Sequence, residues 1–310
     1  MKINISNIKK AKKILDNNHC VAIPTETVYG LAANAYSDIA VKKIYKLKKR
    51  PKYNPLIIHY YTLKDLKKDC VINKEFLSLY KRFSPGPITY ILKLRDQSNI
   101  SKIATNNKNT LAVRFPKHRI TKHLLKILAY PLAAPSANIS SKVSAVSSAD
   151  VKDDFGKKLK YILEGGKSSI GVESTIISLI KKPKILRLGG LETSKINKAL
   201  NKNLGFNLNP TKILTSGQMR LHYSPGLPIK LNVSKSKSNE AYILLKKPKI
   251  LKDNLFYLSK NGNLKEAAQN LYSILRKIKK SKFKSIAIEK ISDKGLGMTI
   301  NDRLIRASKY

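Results

Sequence analysis

Val21-Ala22-Ile23-Pro24-Thr25-Glu26-Thr27-Val28-Tyr29-Gly30-Leu31 is followed closely by Lys48-Lys49-Arg50-Pro51 and Asn54-Pro55-Leu56. The first three residues read as a short buried strand, stopped by a proline that cannot donate to a sheet ladder. The segment after it sets hydroxyls, turn residues and, further on, fixed cations close together, as a site for a polyanion and a small polar molecule requires. Working outward, Leu56-Ile57-Ile58, Tyr90-Ile91-Leu92, Leu111-Ala112-Val113, Tyr161-Ile162-Leu163 and Thr175-Ile176-Ile177 are further short β-rich runs. Residues 38–49, 74–83 and 121–128 between them have helical spacing. The alternation predicts one α/β sheet over residues 1–200.

The remainder of the chain has a second rhythm. Residues 201–228 are rich in Asn, Gly and Pro without periodicity and read as an interdomain linker. Beyond them, Tyr242-Ile243-Leu244-Leu245 and Leu255-Phe256-Tyr257-Leu258 read as strands, and Ser285-Ile286-Ala287-Ile288 as a returning one. Asn263, with Glu266 three residues on, is placed to cap a helix carrying Leu264, Ala267, Ala268, Leu271, Leu275 and Ile278 on one face. The β-α-β succession over residues 229–310 predicts a small Rossmann-like domain, although Gly295-Leu296-Gly297 lacks the third glycine of a dinucleotide fingerprint.

A chain of 310 residues, 42% apolar, can bury the cores of two domains. Its net charge of +43 invites a nucleic-acid reading, but the excess is spread along both halves, which favours a lysine-rich composition over a dedicated binding stripe. Only Cys20 and Cys70 are present, without metal-ligand spacing, so no zinc site or disulfide framework is expected and a reduced, cytoplasmic setting is. The N-terminus reads as an amphipathic helix, with Ile8, Ala11 and Leu15 behind Ser6 as N-cap. No apolar run approaches the ~20 residues needed to cross a bilayer.

Several residues carry chemistry on their type and place alone. Lys48 and Arg50 end a helical segment before Pro51, where cations can meet a polyphosphate; standing alone, they would read as a solvated helix end. His59 follows an apolar strand whose end would open into a cleft, a place where a lone histidine is more often structural. Thr110 and Arg114 frame Leu111-Ala112-Val113, and strand alternation points both to one face. Gly165-Gly166-Lys167-Ser168 imitates a P-loop, but Tyr161 stands at the first glycine and a strand follows where a helix belongs, so that reading is rejected.

These segments together resemble the Sua5/YrdC family, the L-threonylcarbamoyl-AMP synthases, nearly end to end. The resemblance includes Pro131-Leu132-Ala133-Ala134-Pro135-Ser136-Ala137-Asn138, the Gly-Gly then Ser174-Thr175-Ile176 segment, and Ile185-Leu186-Arg187-Leu188-Gly189. The ending Gly295-Leu296-Gly297-Met298-Thr299-Ile300-Asn301-Asp302-Arg303-Leu304 resembles the Sua5 C-terminal domain. It implies a twisted mixed-sheet YrdC-like domain, residues 1–200, a linker, 201–228, that folds over the active site as a lid, and a Sua5-type domain, 229–310. It implies ATP sites at Lys48, Arg50, Asn54, Thr110, Ser136, Asn138, Ser144, Arg187 and Tyr223, with Lys48 and Arg50 catalytic. Threonine sites are implied at Thr25, Thr27, His59, Arg114, Ala134 and Ser174.

The implied reaction condenses L-threonine, bicarbonate or CO2, and ATP, with Mg2+ accompanying the nucleotide, and releases pyrophosphate. It is the first step of N6-threonylcarbamoyladenosine formation in tRNAs, with a downstream transferase as partner and direct tRNA binding left open. Three departures stand out: Lys49 replaces the usual glycine of Lys-Gly-Arg, Ser141 and Ala145 replace the Gly and Pro of Ser-Gly-x-x-Ser-Pro, and Ser84, in Phe83-Ser84-Pro85-Gly86-Pro87, stands where a tryptophan commonly precedes Pro-Gly-Pro. A carbamoyl-transfer module like that of hydrogenase maturation proteins is disfavoured by the missing cysteine pairs, and a purely RNA-binding protein is the reading that turnover would remove.

Overall fold

The computed structural model describes residues 4–210, 215, 217, 218 and 222–309. Nine strands form the larger sheet: β1 (Val21–Ile23), β2 (Gly30–Asn34), β3 (Ile57–His59), β4 (Ile88–Lys93), β5 (Thr110–Arg114), β6 (Leu132–Ala133), β7 (Thr175–Ser178), β8 (Lys184–Arg187) and β9 (Gly205–Phe206). Their order is β1-β2-β6-β3-β5-β4-β7-β8-β9, with parallel pairs β3/β5, β4/β7 and β8/β9 among antiparallel ones. The expected twisted mixed sheet is present.

Alternation along the strands decides what each face carries. Ala22, Ile58, Leu111 and Val113 point into the main core. There they meet α2 (Asp38–Lys48), α3 (Leu63–Asp69), α4 (Lys74–Phe83) and α5 (Lys102–Thr105) through such residues as Ile44, Leu66, Phe76 and Ala104. Opposite them, Val21 and Ile23 pack on Ile8, Ala11 and Leu15 of α1 (Ile5–Asp16) and on Leu124 of α6 (Arg119–Ile127). These two helices cover one end of that face. At its centre lie Ile57, Ala112 and Ile176, and the same parity carries His59, Arg114 and Ser174, which is how a functional face is left at mid-sheet.

The second sheet, β10 (Ile229–Lys230), β11 (Ala241–Lys246), β12 (Leu255–Ser259) and β13 (Ile286–Ile288), is parallel throughout, in the order β10-β13-β11-β12. After α7 (Ser148–Phe155) and α8 (Thr193–Leu200) of the first domain, α9 (Leu264–Lys279) and α10 (Leu296–Ala307) complete this one. The predicted Rossmann-like β-α-β arrangement is therefore present. Asn263 caps α9 as expected, accepting from the amides of Lys265 and Glu266. The Glu266 carboxylate turns instead to Ser259 Oγ, at 2.7 Å, so no reciprocal capping box forms.

The two domains share a core. Val28, Val143, Val146 and Val172 of the first pack with Leu271, Leu275 and Ile300 of the second. Gly171, at φ +78°, lies so near α9 that a Cβ there would stand 2.4 Å from Gln269 Cα.

Three expectations are corrected. Residues 161–163 contribute only an isolated bridge, Ala22 to Ile162, because their ladder bonds go to Ala22 alone. The first helix is capped by Asn4, whose Oδ1 accepts from Asn7 N, and Ser6 lies inside it. The 201–228 segment is more than an aperiodic connector: β9 adds to the large sheet, and Ser224 bridges Lys142. Ser216, Met219, Arg220 and Leu221 of the quoted linker motif lie outside the described residues.

Candidate active site

A cavity lies against the centre of the large sheet, lined by Thr25, His59, Arg114, Ala134, Ser136, Ser174, Arg187 and Tyr223 among the sequence-predicted residues. The parallel β3/β5 register sets His59 beside Arg114. Both are buried. Arg114 donates from Nη2 to Glu26 Oε1 at 2.8 Å, while its Nε has no partner. The other Glu26 oxygen accepts from Lys117 N at 3.0 Å, so this carboxylate fixes the guanidinium without absorbing all its donors. Neither ring nitrogen of His59 makes a well-aligned hydrogen bond, although the Ile57 and Leu132 backbones lie near the ring, and burial, reinforced by the Arg114 charge, pushes its pKa down to about 3. A buried, neutral imidazole with two open nitrogens is a ligand-binding group in waiting.

Thr25 and Thr27 hold the turn after β1. Their hydroxyls are 2.9 Å apart, and Thr25 Oγ1 donates to Val28 O at 2.5 Å. Only Thr25 lines the cavity. Ser174 Oγ lies 2.7 Å from Thr89 Oγ1, and Arg187 donates to Ser174 O from Nε at 3.1 Å and from Nη2 at 2.8 Å.

The cations expected at an exposed helix end are instead buried, a correction with a clear cause. Lys49 closes α2 in the left-handed conformation, φ 50°, and its turn swings Lys48 and Arg50 inward on either side. Lys48 Nζ donates to Ser136 O at 2.6 Å and Asn138 O at 2.5 Å, fastening the Ser-Ala-Asn segment. Arg50 donates to Asn54 O and Pro55 O, each at 3.0 Å. Burial, and then the Arg50 charge, hold the Lys48 pKa well below its ordinary value, while burial lowers Arg50 to about 10. Removing Arg50 therefore strips charged donors from two buried carbonyls and costs stability as well as any ligand contact.

Asn138 donates from Nδ2 to the carbonyls of Ile139 and Lys142, both at 2.8 Å, and leaves Oδ1 unpartnered. Ser141, in the expected glycine position, also has positive φ, 67°. Both departures thus keep the left-handed turn and bear its steric cost in place of glycine. Ser144 is buried behind the wall, donating to Glu173 Oε1 at 2.6 Å. Thr110 opens β5 at the end opposite Arg114, and neither it, Lys48, Arg50, Asn54, Asn138 nor Ser144 is among the lining residues. Lys167 of the rejected P-loop bonds Asn270 Oδ1 at 3.0 Å and faces α9.

Sequence reasoning missed Glu173, which lines the cavity. Burial alone would raise its pKa, but the Arg303 and Arg187 charges and the Ser144 hydroxyl hold it down to about 2. Its signal was adjacency to Ser174. His222 and Tyr223 close the outer side; their rings lie 4.0 Å apart, and His222 Nδ1 and Tyr223 Oη lack partners. Gly217, φ +88°, packs on Arg187, where a Cβ would stand 2.6 Å from Cδ. No group of three His, Cys, Asp or Glu among the described residues could hold a metal ion, and no helix is long and apolar enough to cross a membrane.

An α/β sheet domain whose central face carries buried arginines, hydroxyls and an unpartnered histidine, closed by His222 and Tyr223 and packed against a second domain, defines a ligand-binding two-domain class. Residues 13–189 match the Sua5–YciO–YrdC family model, described as telomere recombination, and residues 186–309 match the threonylcarbamoyl-AMP synthase C-terminal domain. The chain belongs to the Sua5/YrdC family and has the Sua5 C-terminal domain. The threonylcarbamoyl-AMP synthase of Pyrococcus abyssi is 35% identical, covering 98% of this chain and 94% of that one. The threonylcarbamoyl-AMP synthase of Bacillus subtilis is 32% identical over the same shares. The crystal structure of P. abyssi Sua5 complexed with L-threonine superposes with a TM-score of 0.92 at 33% identity, covering 100% of this chain and 96% of that one.

Proposed function

We propose that the protein condenses L-threonine, bicarbonate or CO2, and ATP into L-threonylcarbamoyl-AMP and pyrophosphate. The observation that carries this reading is the set of open donors and acceptors on His59 and Arg114 at the bottom of a buried cationic cavity. Arg114 meets the threonine carboxylate through its free Nε, and His59, Thr25 and Ser174 hold the amino acid's polar groups, with Thr27 bracing Thr25 and Ala134 packing beside them. Lys48, Arg50, Asn54, Thr110, Ser136, Asn138, Ser144, Arg187 and Tyr223 serve the nucleotide. Lys48 and Arg50, mutually repelling in a dry interior, gain most from a polyphosphate.

The chemistry then needs alignment rather than a covalent nucleophile. The threonine amine captures CO2, a carbamate oxygen attacks the α-phosphorus, and pyrophosphate departs with the electron pair of the broken P–O bond. Fixed cations and hydroxyls stabilise the charge that develops. A Mg2+ ion accompanying ATP would be held by the phosphates and water, since no carboxylate cage is found among the described residues, and would supply further neutralisation of the phosphate charge. The cavity offers about 30 Å3, room for roughly two or three waters and far too little for a nucleotide, so residues 222 and 223 withdraw to admit ATP and return over the adenylate. In this reading residues 1–200 do the chemistry, 201–228 form the lid and 229–310 the second domain. The product passes in the cytoplasm to a transferase acting on tRNA. Mass spectrometry of the adenylate formed from isotope-labelled threonine and bicarbonate tests it: label from both in one adenylate supports the reading, and no adenylate removes it.

A further inference from the structure

We propose that Arg303, from the last helix of the C-terminal domain, is a positioning residue that latches the linker over the active site, gripping Glu173 with its edge and Tyr223 with its face. The proposal rests on the adenylate-forming reading above for its function, though not for its geometry. Arg303 is outside the cavity, yet it touches two residues of the cavity wall. Its side chain is 0% exposed. Nε donates to Glu173 Oε2 at 2.9 Å, Nη1 to Asp302 Oδ2 at 2.5 Å, and Nη2 to Leu188 O at 2.6 Å. With all three nitrogens engaged, the guanidinium plane cannot turn, and its carbon lies 4.8 Å from the centre of the Tyr223 ring.

The neighbouring α9 repeats the grip. Tyr272 donates its hydroxyl to Glu173 Oε2 at 2.9 Å, and its ring stacks on Tyr223 at 5.7 Å and 21°. Tyr223 itself has φ 65°, a left-handed conformation that a tyrosine holds only where its surroundings over-determine it. Arg303 and Tyr272 supply that determination from the other domain. The carboxylate of Glu173 stands in the wall of a site for a polyanion, and Arg303 supplies its direct ion pair beside the more distant Arg187 charge. When the lid opens, the ring contacts break while the Glu173–Arg303 pair remains in the domain interface, so the returning tyrosine finds its seat already formed. The C-terminal domain thereby decides how long a hydrolysable mixed anhydride stays covered.

The test separates latching from simple charge neutralisation. In the full chain, E173Q/R303M removes both members of the buried pair, and Asp302, which Arg303 also meets, keeps its ion pair with Arg306 at 3.1 Å. Its thermal unfolding should remain cooperative, while amide exchange in the peptide bearing Tyr223 and Ser224 accelerates about tenfold or more, the scale of a desolvated cation–π contact. Free AMP and threonylcarbamate relative to intact adenylate should rise by a similar factor. E173Q alone keeps the stacked guanidinium and should retain most of the protection. R303K serves where the double variant fails to fold: it keeps the charge, loses the planar face, and should also lose protection. Wild-type protection in a folded E173Q/R303M or R303K overturns the latch. A wild-type protein that makes no adenylate removes the synthase reading, and the exchange data still decide the latch.

Discussion

Arg114→Lys separates ligand recognition from structure more cleanly than truncation does. Arg114→Ala would strand Glu26, a 7%-exposed carboxylate left with the Lys117 amide, and breaking such a buried pair costs about 3–5 kcal/mol, enough to blur any binding result. Lysine keeps a cation within reach of Glu26 and so preserves the ion pair. It cannot reproduce the planar fork, in which Nη2 holds Glu26 at 2.8 Å while Nε stays open toward the cavity. One charged hydrogen bond to the threonine carboxylate is then lost, worth about 1.5–3 kcal/mol, or roughly ten- to a hundredfold in affinity. Calorimetric titration with L-threonine should show that loss, with ATP affinity changed severalfold less and the melting temperature close to wild type. Unchanged threonine affinity in a folded Arg114→Lys, or loss of ATP binding in its place, would refute the assignment.

The same geometry makes three further predictions. ATP binding should take up a proton at a pH between the depressed Lys48 pKa of the free protein and the higher one of the complex, because the triphosphate raises it; affinity then falls as pH rises between the two, and titrations in buffers of different ionisation enthalpy will show no linkage if Lys48 is unaffected. His59 and His222, both lowered to about 3 from 6.5, are neutral in the fold while the unfolded chain protonates. Stability is therefore full above pH 6.5 and drains toward pH 3 by up to about 1.4 kcal/mol per pH unit for each histidine; urea midpoints of His59→Gln should show one share removed, and an unaltered slope contradicts this. Lys49→Gly and Ser141→Gly should each stabilise by roughly 0.5 kcal/mol, the left-handed cost of about 1–2 kcal/mol less glycine's unfolded-state entropy, and a lowered denaturation midpoint would show those turns are not strained.

What could be read from the sequence was what local pattern and motif determine. Strands with a strong apolar run, such as β4 and β5, and helices with a wide apolar stripe, such as α4 and α9, lie where periodicity put them. β6 and β10 were missed, being two-residue strands whose pairing is set by their neighbours rather than by their own composition. Alternation placed Thr110 and Arg114 on one face, but it could not say that the cavity lies at the Arg114 end. The burial of Lys48 and Arg50 was equally hidden, because it follows from a left-handed lysine at the end of α2, a conformation that lysine rarely signals.

Glu173 shows where such reading stops, and why. In its own segment, just before β7, it is an acid beside a serine, 99 and 130 residues from the tyrosine and arginine that hold it. A buried carboxylate is tolerable only when charges and hydrogen bonds from elsewhere meet it, so its presence in the cavity wall requires the second domain to be docked. The Arg303 guanidinium, the Tyr272 hydroxyl and the Ser144 hydroxyl all converge on this one group, two of them from beyond the linker. A single-domain reading of the site would leave that carboxylate with the Arg187 charge and the Ser144 hydroxyl but without the guanidinium that bonds it. The active-site wall and the domain interface are thus one electrostatic unit, and a substitution in α10 reaches the chemistry through Glu173 without touching either substrate.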